Sequence, residues 1–435
     1  MTLINQIRYA LWGPFTVLLI LITGIYLTYA SGFVQIWCLP KLLKMSKNTS
    51  SNGISPWQAL CTSLGGTLGV GNLAGVAVAI QLGGAGSIFF MLLASFFGMA
   101  TKYSELLLAV HYQTHEKSPL GGPMVYLSKG ANLNLLSKVF AVCCIISAFG
   151  TGAAAQSSAI AEAVSCVTPF SPQSIGIISA LIILPILYGG GKLIAKILSI
   201  IVPFMTVSYL IAGILVLIIN KDQIPNAINM IFSGITEPFA VGGGFLGFLT
   251  SKAISNGFSK GIFSNEAGMG SAPIAHGCTA GAKPCEEGLL GAIEVFIDTF
   301  VVCLMTALVI LVTGSHQSDF NGLSVTTIAF SSLFGNLSAN FISITVVFLA
   351  VSTVLGWSFY GLACLRYLKA SEFIRLLYPA VIAFFIAFSS GFPLVDLLTL
   401  CDISAAFMAF PNLYGLWILA PVVKEQTRLF LKNKR

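Results

Sequence analysis

The sequence predicts an all-α polytopic membrane protein. Hydrophobic residues make up 56% of the 435-residue chain and charged residues only 9%, and the mean hydropathy is +0.91. Typical soluble proteins contain about 25% charged residues. Long apolar runs are separated by short polar loops, and no stretch has the composition of a separate soluble domain. We therefore expect one transmembrane domain over residues 1–435.

Dividing the apolar runs at about 20 residues per span predicts about eleven transmembrane helices. The first run exceeds the apolar core of a signal peptide and lacks a cleavage site of small residues, so we expect it to be retained. The predicted ranges are 10–36, 57–80, 86–110, 135–165, 173–190, 193–219, 238–262, 289–313, 337–365, 372–390 and 394–422.

The placement of Lys and Arg predicts the orientation. If the N-terminus is outside, only Arg8 and Lys221 of the 22 Lys and Arg residues fall on the outer side, as expected when cytosolic loops carry the positive charge. A miscounted central helix would move every later loop to the other side. We therefore expect a multi-pass protein of the cell (inner) membrane with a cytosolic tail at 423–435. The sequence contains no basic run interleaved with aromatic residues, so we expect no nucleic-acid partner.

The second predicted helix is interrupted by glycines. Interior glycines cost about 1 kcal/mol each relative to alanine, and irregular backbone at membrane depth needs protein or a watery cavity to satisfy it. Freed backbone groups there can hold an ion or a small substrate; the alternative is close helix packing at small residues. The glycines are Gly65, Gly66, Gly69, Gly71 and Gly75, with Thr67 and Asn72 among them.

A second interruption favours the binding site over packing. Without the helix at 10–36, ten helices remain, in sets of five at 57–220 and 238–422. The second set begins with another glycine-interrupted helix, which contains Gly242, Gly243 and Gly247. Matched interruptions in two oppositely oriented halves are typical of secondary transporters with inverted repeats and a site at the midplane.

Ionisable residues within the predicted spans are few and are candidates for function. Four lie near helix ends, where interfacial water is the expected partner: Lys102 and Glu105 on the inner side, Glu162 and Asp396 on the outer side. Glu294 also lies within a span. Asp298 and Asp402 lie deeper, where each could bind a cation or pair with polar neighbours.

Four further residues combine polar or aromatic side chains with small neighbours. Gln156 could bind a substrate carboxylate or amine, or form a hydrogen bond between helices. Ser352 and Thr353 offer the hydroxyl oxygens that small hard cations prefer, although helical Ser and Thr also bond to the carbonyl four residues earlier. Trp357 could wall a small pocket or belong to the core.

The sequence offers little support for an enzyme. The four histidines and ten cysteines have no metal-ligand spacing, and no G-x-S-x-G, H-E-x-x-H or complete phosphate loop occurs. A membrane-embedded enzyme is the alternative from another class.

Several segments resemble one transporter family closely. From about Trp57 to Asn412 the chain resembles the alanine or glycine:cation symporters, also called sodium:alanine symporters. This family is similar in fold to the leucine transporters, with a five-plus-five inverted repeat and an extra helix, and moves small neutral amino acids with sodium. The segments are TSLGGTLGVGNLAGVAVAI, GMATKYSELLLAVHY, GGPMVYLSKG, GFSKGIFSNEAGMGSAPIAH, MTALVILVTG, LGWSFYG and FMAFPN.

The resemblance implies roles for individual residues. Thr67, Gly69, Gly71 and Asn72 would cradle the substrate with Gln156, Trp357 and the second interruption at Gly242, Gly243 and Gly247. Ser352 and Thr353, with carbonyls of the first broken helix at Gly65 and Gly66, would bind sodium. The implied partners are a small neutral amino acid, sodium as coupling ion and the lipid bilayer, with no other cofactor.

The chain departs from the family pattern at several positions. Losing amides beside Gln156 would widen or depolarise the pocket, so the amino acid stays open, as does a proton-coupled or exchange-mode mechanism on the same fold. The departures are Ala85, Ala153, Ser158, Lys260, Leu362 and Ala405.

Overall fold

The computed structural model describes residues 11, 14–42, 53–114, 118–240, 252–318, 320 and 322–432, and over these residues it is helical. One isolated bridge joins Ile54 and Thr279. The first ten α-helices are α1 (Pro14–Ala30), α2 (Val34–Leu42), α3 (Pro56–Thr67), α4 (Ala74–Gly83), α5 (Gly86–His111), α6 (Pro123–Lys129), α7 (Asn134–Ser147), α8 (Ala155–Ser165), α9 (Pro172–Tyr188) and α10 (Gly190–Ile219).

The second half of the chain continues the bundle. Its α-helices are α11 (Ile224–Ala240), α12 (Lys252–Asn265), α13 (Ala272–His276), α14 (Pro284–Val295), α15 (Leu304–Val312), α16 (Leu323–Ala329), α17 (Ser331–Phe334), α18 (Ser338–Tyr367), α19 (Glu372–Ser389) and α20 (Leu394–Lys432). Two π-helical segments, Ala148–Ala154 and Phe296–Cys303, join α7 to α8 and α14 to α15. Short 3-10 turns lie at Val70–Asn72, Lys221–Gln223, Ser315–Gln317 and Gly335–Leu337.

Within the described ranges, seven helical stretches are long and apolar enough to cross a membrane, and a bent pair, Pro56–Thr67 with Val70–Gly83, raises this to eight. Two shorter apolar helices, Phe15–Ala30 and Pro172–Tyr188, accompany them. The chain is therefore an all-helical multi-pass membrane protein, while the count of eleven spans stays a prediction. The seven stretches are Gly86–His111, Asn134–Ser165, Gly190–Ile219, Pro284–Val312, Ser331–Tyr367, Glu372–Ser389 and Ile403–Lys432.

Two predicted helices differ from the structure. The first, 10–36, is divided by a turn at Gly32 and Phe33, both with positive φ, after which α2 begins. The seventh, 238–262, corresponds to the end of α11 and most of α12. The residues between these helices, which include Gly242, Gly243 and Gly247, lie outside the described residues.

The broken helix begins at a well-formed cap. Ser55 Oγ accepts a hydrogen bond from the Gln58 N–H at 3.2 Å, and Gln58 Oε1 accepts one from the Ser55 N–H at 3.0 Å. Pro56 occupies the first helical position, where its missing N–H costs nothing. This reciprocal pairing satisfies two backbone N–H donors and fixes where α3 starts.

Glycines let helix α5 lie directly against α12 and α14. A Cβ at Gly257 of α12 would lie 2.4 Å from Ser87 O, and one at Gly291 of α14 would lie 2.9 Å from Lys102 O. Small residues at such contacts permit close backbone approach between membrane helices. α5 thus forms a rigid support for both elements.

This packing overturns the expected environment of Lys102 and Glu105. Both side chains are fully buried rather than at the interface. Glu105 Oε1 accepts hydrogen bonds from the Gly268 N–H at 3.1 Å and from Asn412 Nδ2 at 2.5 Å. Position along a helix does not show which neighbours cover a side chain, and here α12, α14 and α20 all pack on α5.

Helix α18 lies beside the break after α3. It packs against α3, α8 and α10. A Cβ at Gly356 would lie 3.0 Å from Gly66 Cα and 3.0 Å from Thr62 O. The close crossing brings the middle of α18 to the end of α3, where the candidate site is formed.

Candidate functional site

The glycine-rich stretch is a broken helix. α3 ends at Thr67, Gly69 is extended with φ −125° and ψ −166°, and the axes of the two halves differ by 63°. Asn72 Oδ1 accepts a hydrogen bond from the Gly69 N–H at 3.0 Å. The side chain of Asn72 therefore stabilises the interruption from within, and the predicted unwinding between Thr67 and Asn72 is present.

Asp298 holds Asn72 in place. Asn72 Nδ2 donates to Asp298 Oδ1 at 2.7 Å, and Ser264 Oγ and Thr299 Oγ1 donate to Asp298 Oδ2 at 2.7 and 2.9 Å. Of the two environments that the sequence allows for Asp298, the structure has the one with polar partners. Because Ser264 belongs to α12, this carboxylate joins the break to a second wall of the site.

Oxygen atoms converge on Thr353, in a group we term the oxygen cluster. Thr353 Oγ1 lies 3.1 Å from Gly65 O, 3.4 Å from Leu68 O and 3.0 Å from Leu349 O. Ser352 Oγ donates to the same Leu349 carbonyl at 2.8 Å. Gly65 and Leu68 lie at the helix break, whereas Leu349 lies within α18, so Thr353 also makes the bond to the carbonyl four residues earlier that the sequence allows. Carbonyls at a helix break, together with hydroxyls, are the hard oxygen ligands of a small cation.

A cavity of about 110 Å³ borders the break and the oxygen cluster. A single water needs about 10–15 Å³ of such space, so the cavity suits a small molecule rather than a peptide or lipid. The lining residues are Gly66, Thr67, Gly69, Val70, Gly71, Ala74, Gly75 and Val78 from the broken helix, Thr151, Ala155 and Gln156, Lys260, Phe263, Ser264, Glu266 and Met269, and Thr353 and Leu394.

Gln156 faces the break across this cavity. Its Nε2 donates to Thr151 O at 3.2 Å, while the buried Oε1 has no hydrogen-bond partner among the described residues. Both atoms lie 3.9 Å from the position that a Cβ on Gly69 would take. An unpaired buried amide oxygen costs about 1–3 kcal/mol, and a polar ligand in the cavity would offset that cost.

Two predicted site residues have tightly packed surroundings, Trp357 away from the cavity and Gly66 at its edge. Trp357 is fully buried, is not among the described residues that line the cavity, and stacks edge-on with Tyr360 at a centroid distance of 5.6 Å. A Cβ at Gly152 would lie only 2.5 Å from Trp357 Cβ. Gly66 lies against Tyr360, whose hydroxyl would be 2.6 Å from an added Cβ.

Some groups at the site could not be predicted as site residues from the sequence. The carbonyls of Leu68 and Leu349 in the oxygen cluster have no signature, because every residue carries a carbonyl. Phe263, Lys260 and Glu266 line the cavity, and Lys260 Nζ lies 5.8 Å from the centroid of the Phe263 ring. Their only signal is membership in the specific GFSKGIFSNEAGMGSAPIAH segment. Glu162 is exposed, and the side chains of Asp396 and Asp402 lie outside the described residues.

Comparison with known proteins identifies the family. The sodium:alanine symporter family model matches residues 1–435. The chain belongs to the sodium:alanine symporter family. This membership makes the protein a transporter and not an enzyme.

The relatives of this chain are named for different amino acids. The sodium/alanine symporter AgcS of Methanococcus maripaludis is 40% identical, over 99% of this chain and 97% of that protein. The probable sodium/glutamine symporter GlnT of Bacillus subtilis is 30% identical, over 98% of this chain and 89% of that protein. The putative sodium/proton-dependent alanine carrier YrbD of Bacillus subtilis is 31% identical, over 84% of this chain and 78% of that protein.

Proposed function

We propose that this chain is a sodium-coupled symporter of small neutral amino acids, such as alanine or glycine, and imports them by alternating access. The observation that carries the proposal is the unpaired Gln156 Oε1, which faces Gly69 across a small cavity at a broken helix. Family membership and the name of the 40% identical relative support the substrate class.

The ends of the break suit a zwitterion. The C-terminal end of α3 carries partial negative charge, and the turn that begins α4 carries partial positive charge. The ammonium group would bind near the first and the carboxylate near the second, with Gln156 completing the contacts. Ala74, Gly75 and Val78 line the cavity without polar side chains, which favours a short apolar substituent.

Sodium would bind at the oxygen cluster. Gly65, Leu68 and Leu349 would supply carbonyls, and Ser352 and Thr353 would supply hydroxyls. Leu68 replaces Gly66 in the ligand set that the sequence suggests, since its carbonyl is the one near Thr353. An ion held there would draw α18 and the end of α3 together, beside the substrate.

The transport cycle would use the two five-helix repeats at 57–220 and 238–422. One repeat would rock against the other around the fixed site, as in other inverted-repeat transporters. The second interruption, predicted from the sequence at Gly242, Gly243 and Gly247, would complete the substrate site.

Uptake into proteoliposomes tests the proposal. We expect accumulation of labelled alanine or glycine only with an inward sodium gradient, and choline or lithium in place of sodium should abolish it. Full-rate uptake without sodium contradicts the coupling, and uptake driven by a proton gradient alone would support the proton-coupled alternative. Competition by a panel that includes glutamine and both alanine stereoisomers identifies the preferred substrate.

Gln156→Ala tests the amide. We expect the half-saturating amino-acid concentration to rise about tenfold or more, because a hydrogen bond to a charged group is lost. Gln35→Ala is the matched control, since Gln35 is also a buried amide with an unpaired Oε1 but lies outside the cavity. Equal effects of the two substitutions would contradict the role of Gln156.

A further inference from the structure

A buried ion pair contacts an element that lines the cavity. Lys102 Nζ of α5 lies 3.2 Å from Glu294 Oε1 of α14 and donates a hydrogen bond to Asn265 O at 2.8 Å. Asn265 is the last residue of α12 and directly follows Ser264, which lines the cavity. Lys102 therefore binds the negative end of the α12 dipole and fixes one wall of the site.

The same ion pair also binds the broken helix. Ser63 Oγ of α3 donates to Glu294 Oε2 at 2.8 Å. Ser63 lies two residues before Gly65, whose carbonyl belongs to the oxygen cluster, and its own carbonyl accepts a hydrogen bond from Thr67 Oγ1 at 3.2 Å. One buried pair thus joins the end of α12 to the last turn of α3.

The short helix α13 supports Ser63 from the other side. His276 Nε2 lies 3.2 Å from Ser63 Oγ, and His276 Nδ1 lies 2.5 Å from Glu287 Oε2. All of these side chains are at most 2% exposed. The hydroxyl of Ser63 thus has three polar neighbours, Glu294 at 2.8 Å, the Leu60 carbonyl of its own helix at 3.1 Å and His276 at 3.2 Å, of which the Glu294 carboxylate is nearest.

A positioning role explains the cost of burying these charges. Apolar residues of similar volume often stabilise a protein as well as or better than a buried ion pair, and charges within membrane spans are expected to have a function. None of Lys102, Glu294 and Ser63 lines the cavity within the described residues. None of the three side chains therefore contacts a ligand in the cavity directly, and their expected effect on transport comes through the elements they hold.

We infer that Lys102, Glu294 and Ser63 are positioning residues that set the spacing between the two walls of the transport site. This inference rests on the proposed function. Ser63 fixes the oxygen cluster and Thr67, and Lys102 fixes Ser264 and its neighbours. Losing the link changes the spacing between the two walls, so affinity for sodium and affinity for the amino acid should change in parallel.

Ser63→Ala tests the link with a small change in volume. We expect the half-saturating concentrations of both sodium and alanine to rise about tenfold, with a smaller change in maximal uptake per folded transporter. Thr62→Val is the matched control, because the neighbouring Thr62 hydroxyl bonds to Gln58 O in its own helix, at 2.7 Å, and to no other group among the described residues. It should leave both concentrations within experimental error.

A double-mutant cycle that combines Ser63→Ala with Glu294→Gln tests whether Ser63 acts through Glu294. If Ser63 acts through Glu294, the effect of the double variant is smaller than the sum of the single effects. Additive effects contradict the inference. It is also contradicted if Ser63→Ala lowers the midpoint of thermal unfolding but leaves the half-saturating concentrations of sodium and alanine unchanged. Wild-type protein without sodium-dependent uptake contradicts the proposed function instead, so the two failures are distinguishable.

Discussion

At the scale of single residues, the glycines near position 65 serve two purposes. Gly66 lines the cavity and also permits close packing, because an added Cβ would meet the Tyr360 hydroxyl at 2.6 Å. Gly75 lines the cavity, and a Cβ there would meet nothing within 4 Å. The packing and binding-site interpretations of the sequence therefore both describe part of the stretch.

Thr353→Val should weaken sodium dependence. The substitution keeps the shape but removes the hydroxyl that lies near three carbonyls, so we expect the half-saturating sodium concentration to rise about tenfold. Thr345→Val is the control on the same helix, because the Thr345 hydroxyl bonds to Phe341 O of its own helix at 2.9 Å. Uptake assays across a sodium series measure both; an unchanged sodium requirement in Thr353→Val would remove Thr353 from the proposed ion site.

Side chains were more predictable than backbone groups. Gln156 and Thr353 stand out in the sequence because a long amide or a hydroxyl pair is unusual among small apolar residues, and both lie at the cavity. Trp357 stands out equally, yet lies against Gly152 and Tyr360. Composition marks an unusual residue, but the direction of its side chain depends on tertiary packing.

At the scale of elements, the two π-helical segments were not predictable from hydropathy. The run 135–165 reads as one helix, but Ala148–Ala154 widens it where Thr151 accepts the hydrogen bond of Gln156 and Gly152 meets Trp357. The segment Phe296–Cys303 likewise contains Asp298. A π-helical turn changes the hydrogen-bond register without changing composition, and such turns often occur at functional sites.

Gly257→Ala should destabilise the contact between α5 and α12. The added Cβ would lie 2.4 Å from Ser87 O, a backbone atom, and overpacking typically costs about 1–3 kcal/mol. We expect a lower midpoint of thermal unfolding in detergent. Gly75→Ala has room for its methyl group and should not lower the midpoint, since alanine favours helix; a fall of equal size in both variants would exclude this packing as the cause.

At the scale of the whole molecule, hydropathy predicted most of the helical bundle, because a helix that crosses the bilayer needs an apolar stretch of about 20 residues. It did not predict that α1 and α2 are separate helices. It also misplaced Lys102 and Glu105, which are buried by three other helices. The hydropathy of a single apolar run does not show which distant segments of the chain contact it.

The predicted orientation can be tested at Cys166. Cys166 is exposed at the end of α8, on the predicted outer side, whereas the other nine cysteines are buried or half-buried. A membrane-impermeant maleimide should therefore label intact cells, and Cys166→Ser should abolish the labelling. As the inner-side comparison, Lys369→Cys in the Cys166→Ser background should react only after the membrane is opened; the reverse pattern would invert the proposed topology.

The two π-helical segments also bear on how related chains can differ in length. A π-helical turn accommodates one more residue than an α-helical turn within a continuous helix. A relative with one residue fewer at Ala148–Ala154 could therefore retain every loop and still present another residue in place of Gln156. Insertions and deletions inside these helices, rather than in loops, are thus a route by which such transporters could acquire new substrates.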